Sequence, residues 1–269
     1  MKIFLKKITK ILGNYFPYFK GKMRIIYFLF SPKYAKKNNE KFLIKYFNKK
    51  YEGETGDYID WGVYFLGGLE KGLINYLNTE INSFNYFLDI GSNSGSISLP
   101  FADIKNLKII CFEPLELNYK KLINNYKINN LYEKHIFHKI ALSNKNHESF
   151  IHYSSSDTNK GTASLIEGYS YTHDSKEEVN IRRLDDLYKF KNEKIIIKID
   201  VEGHEREVIE GMCNILQENR VLVYLETTQK NLIKDLKKKN FKILFPKFVE
   251  GNFEFTEKQN YHDVIFKNC

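Results

Sequence analysis

The sequence predicts an α/β fold: a mostly parallel seven-stranded sheet with helices on both faces and an antiparallel pair at its C-terminal edge. Three observations point there. Short apolar runs alternate with helical patterns from Tyr86 to Lys239, the first run flows into a glycine-rich loop, and the last two runs have no helix between them. At 269 residues, with 42% hydrophobic and 15% aromatic content, the chain can bury one sizeable core and still carry an N-terminal appendage.

The N-terminal arm, residues 1–50, opens with Met1 to Leu12, where Ile3, Phe4, Ile8, Ile11 and Leu12 alternate with Lys2, Lys6, Lys7 and Lys10. That spacing predicts a short cationic amphipathic helix, stopped by Pro17. The apolar run Ile25 to Phe30 is far shorter than the roughly 20 residues a membrane span needs, and no signal-peptide pattern is read. Residues 31–80 are expected to be helical and loop-rich, with Gly67-Gly68 as a break and Gly72 to Leu77 as the tail of a helix.

The remainder, 51–269, reads as one catalytic domain. Five strands are expected at Tyr86 to Ile90, Leu107 to Phe112, Ile136 to Ala141, Ile195 to Ile199 and Val221 to Leu225. Helices follow the first two, clearest at Tyr119 to Tyr126, and also occupy Glu205 to Leu216 and Lys230 to Lys239. Phe241 to Phe245 and His262 to Phe266 form the antiparallel pair. A β-rich insertion, about residues 143–193, interrupts the pattern, with strands at Ser149 to Tyr153 and Val179 to Arg183. Long excursions of this kind are usually functional loops or lids.

Charge is unevenly placed. Thirteen Lys and Arg24 against Glu40 give the first fifty residues +13, so the rest of the chain, within a total of +9, carries −4. An acidic body argues against a nucleic-acid groove, whereas the basic arm suits peripheral contact with an anionic membrane through residues 1–30. Cys111, Cys213 and Cys269 show no paired or zinc-like spacing, which suits a reducing cytoplasm.

The chemistry is read at the carboxyl ends of the strands, where open parallel sheets bind ligands. Asp89-Ile90-Gly91-Ser92-Asn93-Ser94-Gly95 closes the first strand, its two glycines admitting close approach of backbone. The glycines stand four apart with no third, unlike a dinucleotide-binding loop, which disfavours a nicotinamide-dependent oxidoreductase. Glu113 ends the second strand and is placed to accept the hydroxyls of an unmodified ribose. Adenosine joined to a zwitterionic methionine tail satisfies both features. Asp200, Glu202, His204 and Glu205 follow the fourth strand and Glu226 ends the fifth, so a base or substrate clamp is expected there, with Asp200 and Glu202 pointing the same way if the backbone stays extended. Their spacing fixes no coordination geometry, and no metal is expected.

These motifs resemble the FkbM-type methyltransferases in Asp89-x-Gly91-x-Asn93-x-Gly95, Phe112-Glu113-Pro114 and Lys198-Ile199-Asp200-Val201-Glu202-Gly203-His204-Glu205. Ala141-Leu142-Ser143 and Arg183-Leu184-Asp185-Asp186-Leu187 look like the family's connecting segments, and Gly68-Leu69-Glu70 is a weaker match before the first strand. The resemblance covers roughly residues 65–228. It implies a Rossmann-like class I methyltransferase with S-adenosylmethionine as cofactor, held by Glu70, Asp89, Gly91, Asn93, Gly95, Glu113 and Ala141. Asp200, Glu202 and His204 are the expected catalytic residues and Glu226 a substrate contact. The implied acceptor is a hydroxyl on a small molecule or glycan, and the arm tilts this toward a capsule or lipopolysaccharide precursor. A scaffold retaining the fold without catalysis is the rival of a different class. Oligomeric state is not legible.

Overall fold

The protein is described by a computed structural model covering residues 2–17, 19–156, 159–239, 241–249, 252–256 and 263–268. Three helices lead, α1 (Lys2–Tyr15), α2 (Lys22–Phe30) and α3 (Pro32–Lys37). A hairpin follows, β1 (Lys41–Tyr46) and β2 (Lys49–Glu54), then α4 (Tyr58–Leu66) and α5 (Lys71–Glu80). The domain proper runs β3 (Tyr86–Ile90), β4 (Lys108–Phe112), α6 (Glu116–Lys127), β5 (Ile136–His138), β6 (Ala141–Leu142), β7 (His147–Tyr153), β8 (Ser175–Arg182) and α7 (Leu184–Leu187). It continues through β9 (Lys194–Ile199), α8 (Glu205–Glu210), α9 (Cys213–Glu218), β10 (Arg220–Glu226), α10 (Lys230–Lys238), β11 (Lys242–Val249), β12 (Asn252–Thr256) and β13 (Asp263–Lys267).

The main sheet has the order β12-β11-β13-β10-β9-β3-β4-β5. From β5 to β10 all neighbours are parallel, and β13, β11 and β12 add antiparallel partners at the C-terminal edge. Strand order reverses between β3 and β9, so the ends of these two strands open the crevice where ligands bind in such sheets. Side chains alternate across the sheet: Phe87, Ile109 and Ile196 pack on one face with Leu73, Leu77 and Tyr126. Leu88, Ile110 and Ile197 pack on the other with Val208, Met212 and Leu236. Both faces are covered, as a parallel sheet requires. This is the expected Rossmann-like architecture.

Several expectations need correction. The described sheet has eight strands, not seven, because β12 pairs with a β11 that extends to Val249. The second edge strand begins at Asp263; His262 lies outside the described residues. Residues 41–54, expected as helix and loop, form a hairpin that straddles residue 50. Its two-residue turn, Phe47-Asn48, has positive φ at both positions (44° and 65°), the geometry that matches strand twist. No α-helix follows β3; the glycine loop leads into a single 3₁₀ turn, Leu99–Phe101, which contains Pro100. The third strand ends at His138, since Ala141–Leu142 leaves to pair with β8 in a separate three-stranded sheet. The helix over 205–216 breaks at Gly211, whose position a Cβ would fill only by meeting Ser143 O at 2.0 Å.

The arm docks on α4. Asn14 Nδ2 donates to Phe65 O at 2.9 Å, Trp61 Nε1 donates to Phe30 O at 3.1 Å, and Ile26, Phe30, Ala35, Trp61 and Phe65 share a small core. The docked face of α1 carries Thr9, Leu12 and Gly13; Phe4, Ile8, Ile11 and Tyr15 form a stripe exposed on the opposite side. Among the described residues no helix is long and apolar enough to cross a membrane.

Candidate active site

The crevice is built first from backbone. Gly91 and Ser92 both donate their N–H to Phe112 O, at 2.9 and 3.1 Å, so the loop after β3 folds over the end of β4. Gly91 has φ +74°, and a Cβ there would stand 1.8 Å from Asp200 O; only glycine lets the β3 and β9 ends approach this closely. Asn93, also left-handed (φ +49°), donates its N–H to Glu113 Oε2 at 2.8 Å, while Leu115 N donates to Oε1 at 3.0 Å. The hairpin supports the loop from behind: Tyr51 Oη lies 2.6 Å from Ser94 Oγ and donates to Asp60 Oδ1 at 2.7 Å.

Glu70, Gly91, Asn93, Glu113, Ala141, Asp200, Glu202, His204 and Glu226 all line one cavity of about 230 Å³. Asp89 and Gly95 stand behind it. Asp89 is fully buried, with neither oxygen in hydrogen-bonding geometry; its polar neighbours are Ser98 and Lys198, whose Nζ is 3.9 Å from Oδ1. Burial pushes its carboxyl up, against the pull of Lys198.

Lys198, which opens the Lys198 to Glu205 motif but carries no assigned role there, is the organising residue. It is 3% exposed one residue before the end of β9, donates to Gly91 O at 2.7 Å and lies 3.2 Å from Asp200 Oδ2. A lysine interrupting Ile195-Ile196-Ile197 and Ile199 was the available signal, because a buried ammonium needs partners. Around this one cation stand Asp89, Asp200 and Glu70, whose charges raise its pKa although burial opposes them. One carboxylate oxygen from each of Glu70, Asp200 and Glu226 lies within 4.8 Å of the others. Glu70 thus stands with the residues assigned to the reactive end.

The turn after β9 differs from expectation. The extended backbone stops at Ile199; Glu202 (φ +50°) and Gly203 (φ +99°) are left-handed, and α8 starts only at Glu205. Glu205 ties this turn together, accepting from Gly203 N at 2.6 Å and Gln229 Nε2 at 2.8 Å. The insertion covers it: Ser164 Oγ donates to Glu202 O at 2.7 Å and Tyr169 Oη to Glu202 Oε2 at 3.2 Å. His204 Nε2 is 2.9 Å from Ser143 Oγ and Nδ1 is 3.6 Å from Glu207 Oε2; burial, with His147 nearby, lowers the imidazole pKa against the pull of Glu207.

Burial first, then the charge of Asp200, pushes the Glu202 carboxyl up to about 7. Burial likewise takes Glu113 to about 7, against its two backbone donors. In Glu226 desolvation by the cleft walls and the charges of Asp200, Glu70 and Asp263 act upward, and its access to solvent screens them. For Glu70 burial, with Asp200 and Asp263, outweighs Lys198 and gives about 7. Its folded pKa is therefore above the unfolded one, so its stabilising contribution is complete in acid and is lost as pH rises through about 7. Glu70→Gln is expected to be more stable than the parent at pH 8 by roughly 1–2 kcal/mol, with the gain shrinking toward pH 4. Urea midpoints at the two pH values measure this; a variant less stable at pH 8 would refute it.

The residues fit an adenosine-type ligand: a glycine cradle, a buried carboxylate beside it and a charged end beyond. Residues 89–255 match the model of the methyltransferase FkbM domain. No curated protein matches the chain. Among solved structures, a methyltransferase FkbM from Methylobacillus flagellatus is similar at 12% identity and TM-score 0.46, over 98% of this chain and 58% of that one. An S-adenosylmethionine-dependent O-methyltransferase from Thermotoga maritima is similar at 9% identity and TM-score 0.42, over 84% of this chain and 77% of that one. The M. capricolum protein TrmK, in complex with S-adenosylhomocysteine, is similar at 12% identity and TM-score 0.39, over 72% and 66% respectively. The match over 89–255, more than half of the chain, carries the assignment: this chain belongs to the FkbM methyltransferase family, and its cofactor is S-adenosylmethionine.

Proposed function

We propose that the chain is an O-methyltransferase acting on a hydroxyl of a sugar or glycan precursor, of the kind built into capsule or lipopolysaccharide. One observation carries this reading. A second recess, walled by Tyr169, Thr227 and Thr228, adjoins the cofactor cavity and shares Asp200, Glu202 and Glu226 with it. An acceptor there meets carboxylates and hydroxyls, the groups that orient a polyol, while their excess negative charge repels phosphate-rich acceptors such as nucleic acid. Bound S-adenosylmethionine supplies an activated methyl group. The chain's own residues align the acceptor hydroxyl and take its proton as the new C–O bond forms. Glu226 orients the acceptor, Asp200 and Glu202 face the hydroxyl, and His204 holds the turn between them. Labelled cofactor and a panel of neutral glycosides and cell-surface glycan extracts test this. The expected product is a sugar methyl ether carrying the label; label on nitrogen, or on nucleic acid alone, would overturn it.

The arm supports a site of action at the inner membrane face, with the catalytic domain in the cytoplasm. With the exposed stripe of Phe4, Ile8, Ile11 and Tyr15, α1 also exposes Lys7, and α2 exposes Arg24, Ile25 and Phe28. Apolar side chains combined with unopposed positive charge suit an anionic bilayer surface. Cosedimentation with phosphatidylglycerol vesicles is expected, lost on Phe4→Ser with Ile11→Ser; equal binding by the variant would remove the proposal.

A further inference from the structure

Among the described residues, few buried polar atoms lack a partner, and one of them opens into the cofactor cavity far from the carboxylate cluster. Asn118 sits in the first turn of α6, five residues after Glu113, and is 2% exposed. It lines the cavity, and its Oδ1 accepts no hydrogen bond. Its amide nitrogen is directed elsewhere, toward Lys160 O at 3.5 Å and the Glu113 carboxylate, which that contact favours in its charged form. Turning the amide over would set its carbonyl against two acceptors, so its surroundings fix the carbonyl as the face left for a ligand.

Glu113 itself still has room for a ligand donor. Each of its oxygens already accepts one backbone N–H, from Asn93 and from Leu115. With the Asn118 amide nitrogen also directed at the carboxylate, one acceptor direction remains, close to the unpaired carbonyl of Asn118. A vicinal diol presents two donors side by side and suits two adjacent acceptors of this kind.

We propose that Asn118 is a cofactor-binding residue whose side-chain carbonyl accepts one hydroxyl of the cofactor's ribose while Glu113 accepts the other. The inference rests on the assignment of this end of the cavity to adenosine. It divides between two side chains a role that sequence reading gave to Glu113 alone. It also states a requirement: the ligand must bring a hydroxyl donor, which a ribose phosphorylated or methylated at that oxygen does not have.

Calorimetry with S-adenosylhomocysteine and its 2′-deoxy and 3′-deoxy analogues tests this. For the unaltered protein, binding of S-adenosylhomocysteine establishes the cofactor reading, and its absence would overturn both that reading and the inference. One deoxy analogue is expected to bind about 10- to 100-fold more weakly, the effect of losing a buried hydrogen bond. Asn118→Leu, with the same branching and no polar atoms, is expected to weaken S-adenosylhomocysteine by a comparable factor and to cause no further loss with that same analogue. Undiminished affinity of the unaltered protein for both analogues would overturn the proposal without any variant. So would equal losses for parent ligand and analogues in Asn118→Leu, which would mark Asn118 as structural only. Asn118→Ser, keeping an oxygen acceptor, is expected to recover part of the affinity; no recovery in a folded variant would count against the carbonyl's role.

Discussion

Lys198→Met is expected to destabilise the protein by about 3–5 kcal/mol, the cost of removing one partner of a buried charge pair. The variant keeps the length and most of the volume of the side chain, so packing at the end of β9 changes little. What changes is charge. Asp89, fully buried with only the Ser98 hydroxyl and Lys198 as polar neighbours, has Lys198 at 3.9 Å, and Asp200 has it at 3.2 Å. Without that cation Asp89 must either stay ionised in an apolar setting or take up a proton, and Gly91 O loses the donor at 2.7 Å that anchors the loop. Adding Asp89→Asn to Lys198→Met removes the stranded charge and is expected to restore a substantial part of the loss. Urea unfolding of the four members of this cycle measures the coupling. A single-variant loss below about 1 kcal/mol, or no coupling between the two positions, would show that Lys198 is not the counter-charge holding the site together.

The sheet was legible because its strands are short, nearly continuous apolar runs, the pattern of a sheet covered on both faces. Tyr86 to Ile90, Ile195 to Ile199 and Val221 to Leu225 match observed strands to within a residue or so. Elements whose identity depends on partners were not legible. The β1–β2 hairpin is held by Tyr51 reaching Ser94 and Asp60, contacts that no local pattern encodes, and its lysine-rich strands show little apolar alternation. Residues 205–216 carry an unbroken helical pattern, yet Gly211 yields to the carbonyl of Ser143 from the other side of the insertion. In the site, residues at strand ends followed from topology alone, since position along a parallel strand fixes which end faces the crevice. Lys198 and Asn118 point into the same space from inside elements, where sequence suggests only an awkward core lysine and a helical asparagine. Tyr169 reaches Glu202 from 33 positions away, which needs the fold.

Glu202→Gln is expected to lower kcat by about 10²- to 10⁴-fold, the span of general-base catalysis, with cofactor affinity little changed. Of the carboxylates at the acceptor recess, Asp200 and Glu202 flank the turn after β9, and they are not equivalent. Asp200 is committed to an ion pair with Lys198 at 3.2 Å. Among the described residues Glu202 forms no ion pair; burial and the charge of Asp200 push it up to about 7, opposed by the Tyr169 hydroxyl and, more weakly, by Lys198, so its proton affinity suits a neutral environment. Its backbone is held at φ +50°, an uncommon conformation for glutamate, by contacts from the insertion and by the adjoining Gly203. A base must be deprotonated to act, so log kcat of the parent is expected to fall as pH drops below about 7 and to level off above it. Glu202→Gln should lose that inflection together with the rate, whereas a residue that merely shapes the turn would lower the rate and leave the inflection in place. Tyr169→Phe provides the complementary measurement: removing the donor that favours the carboxylate should move the inflection to higher pH, the direction opposite to that expected if the titrating group were a histidine losing an anionic neighbour. Persistence of the inflection in Glu202→Gln would transfer the role of base to Asp200 or Glu226.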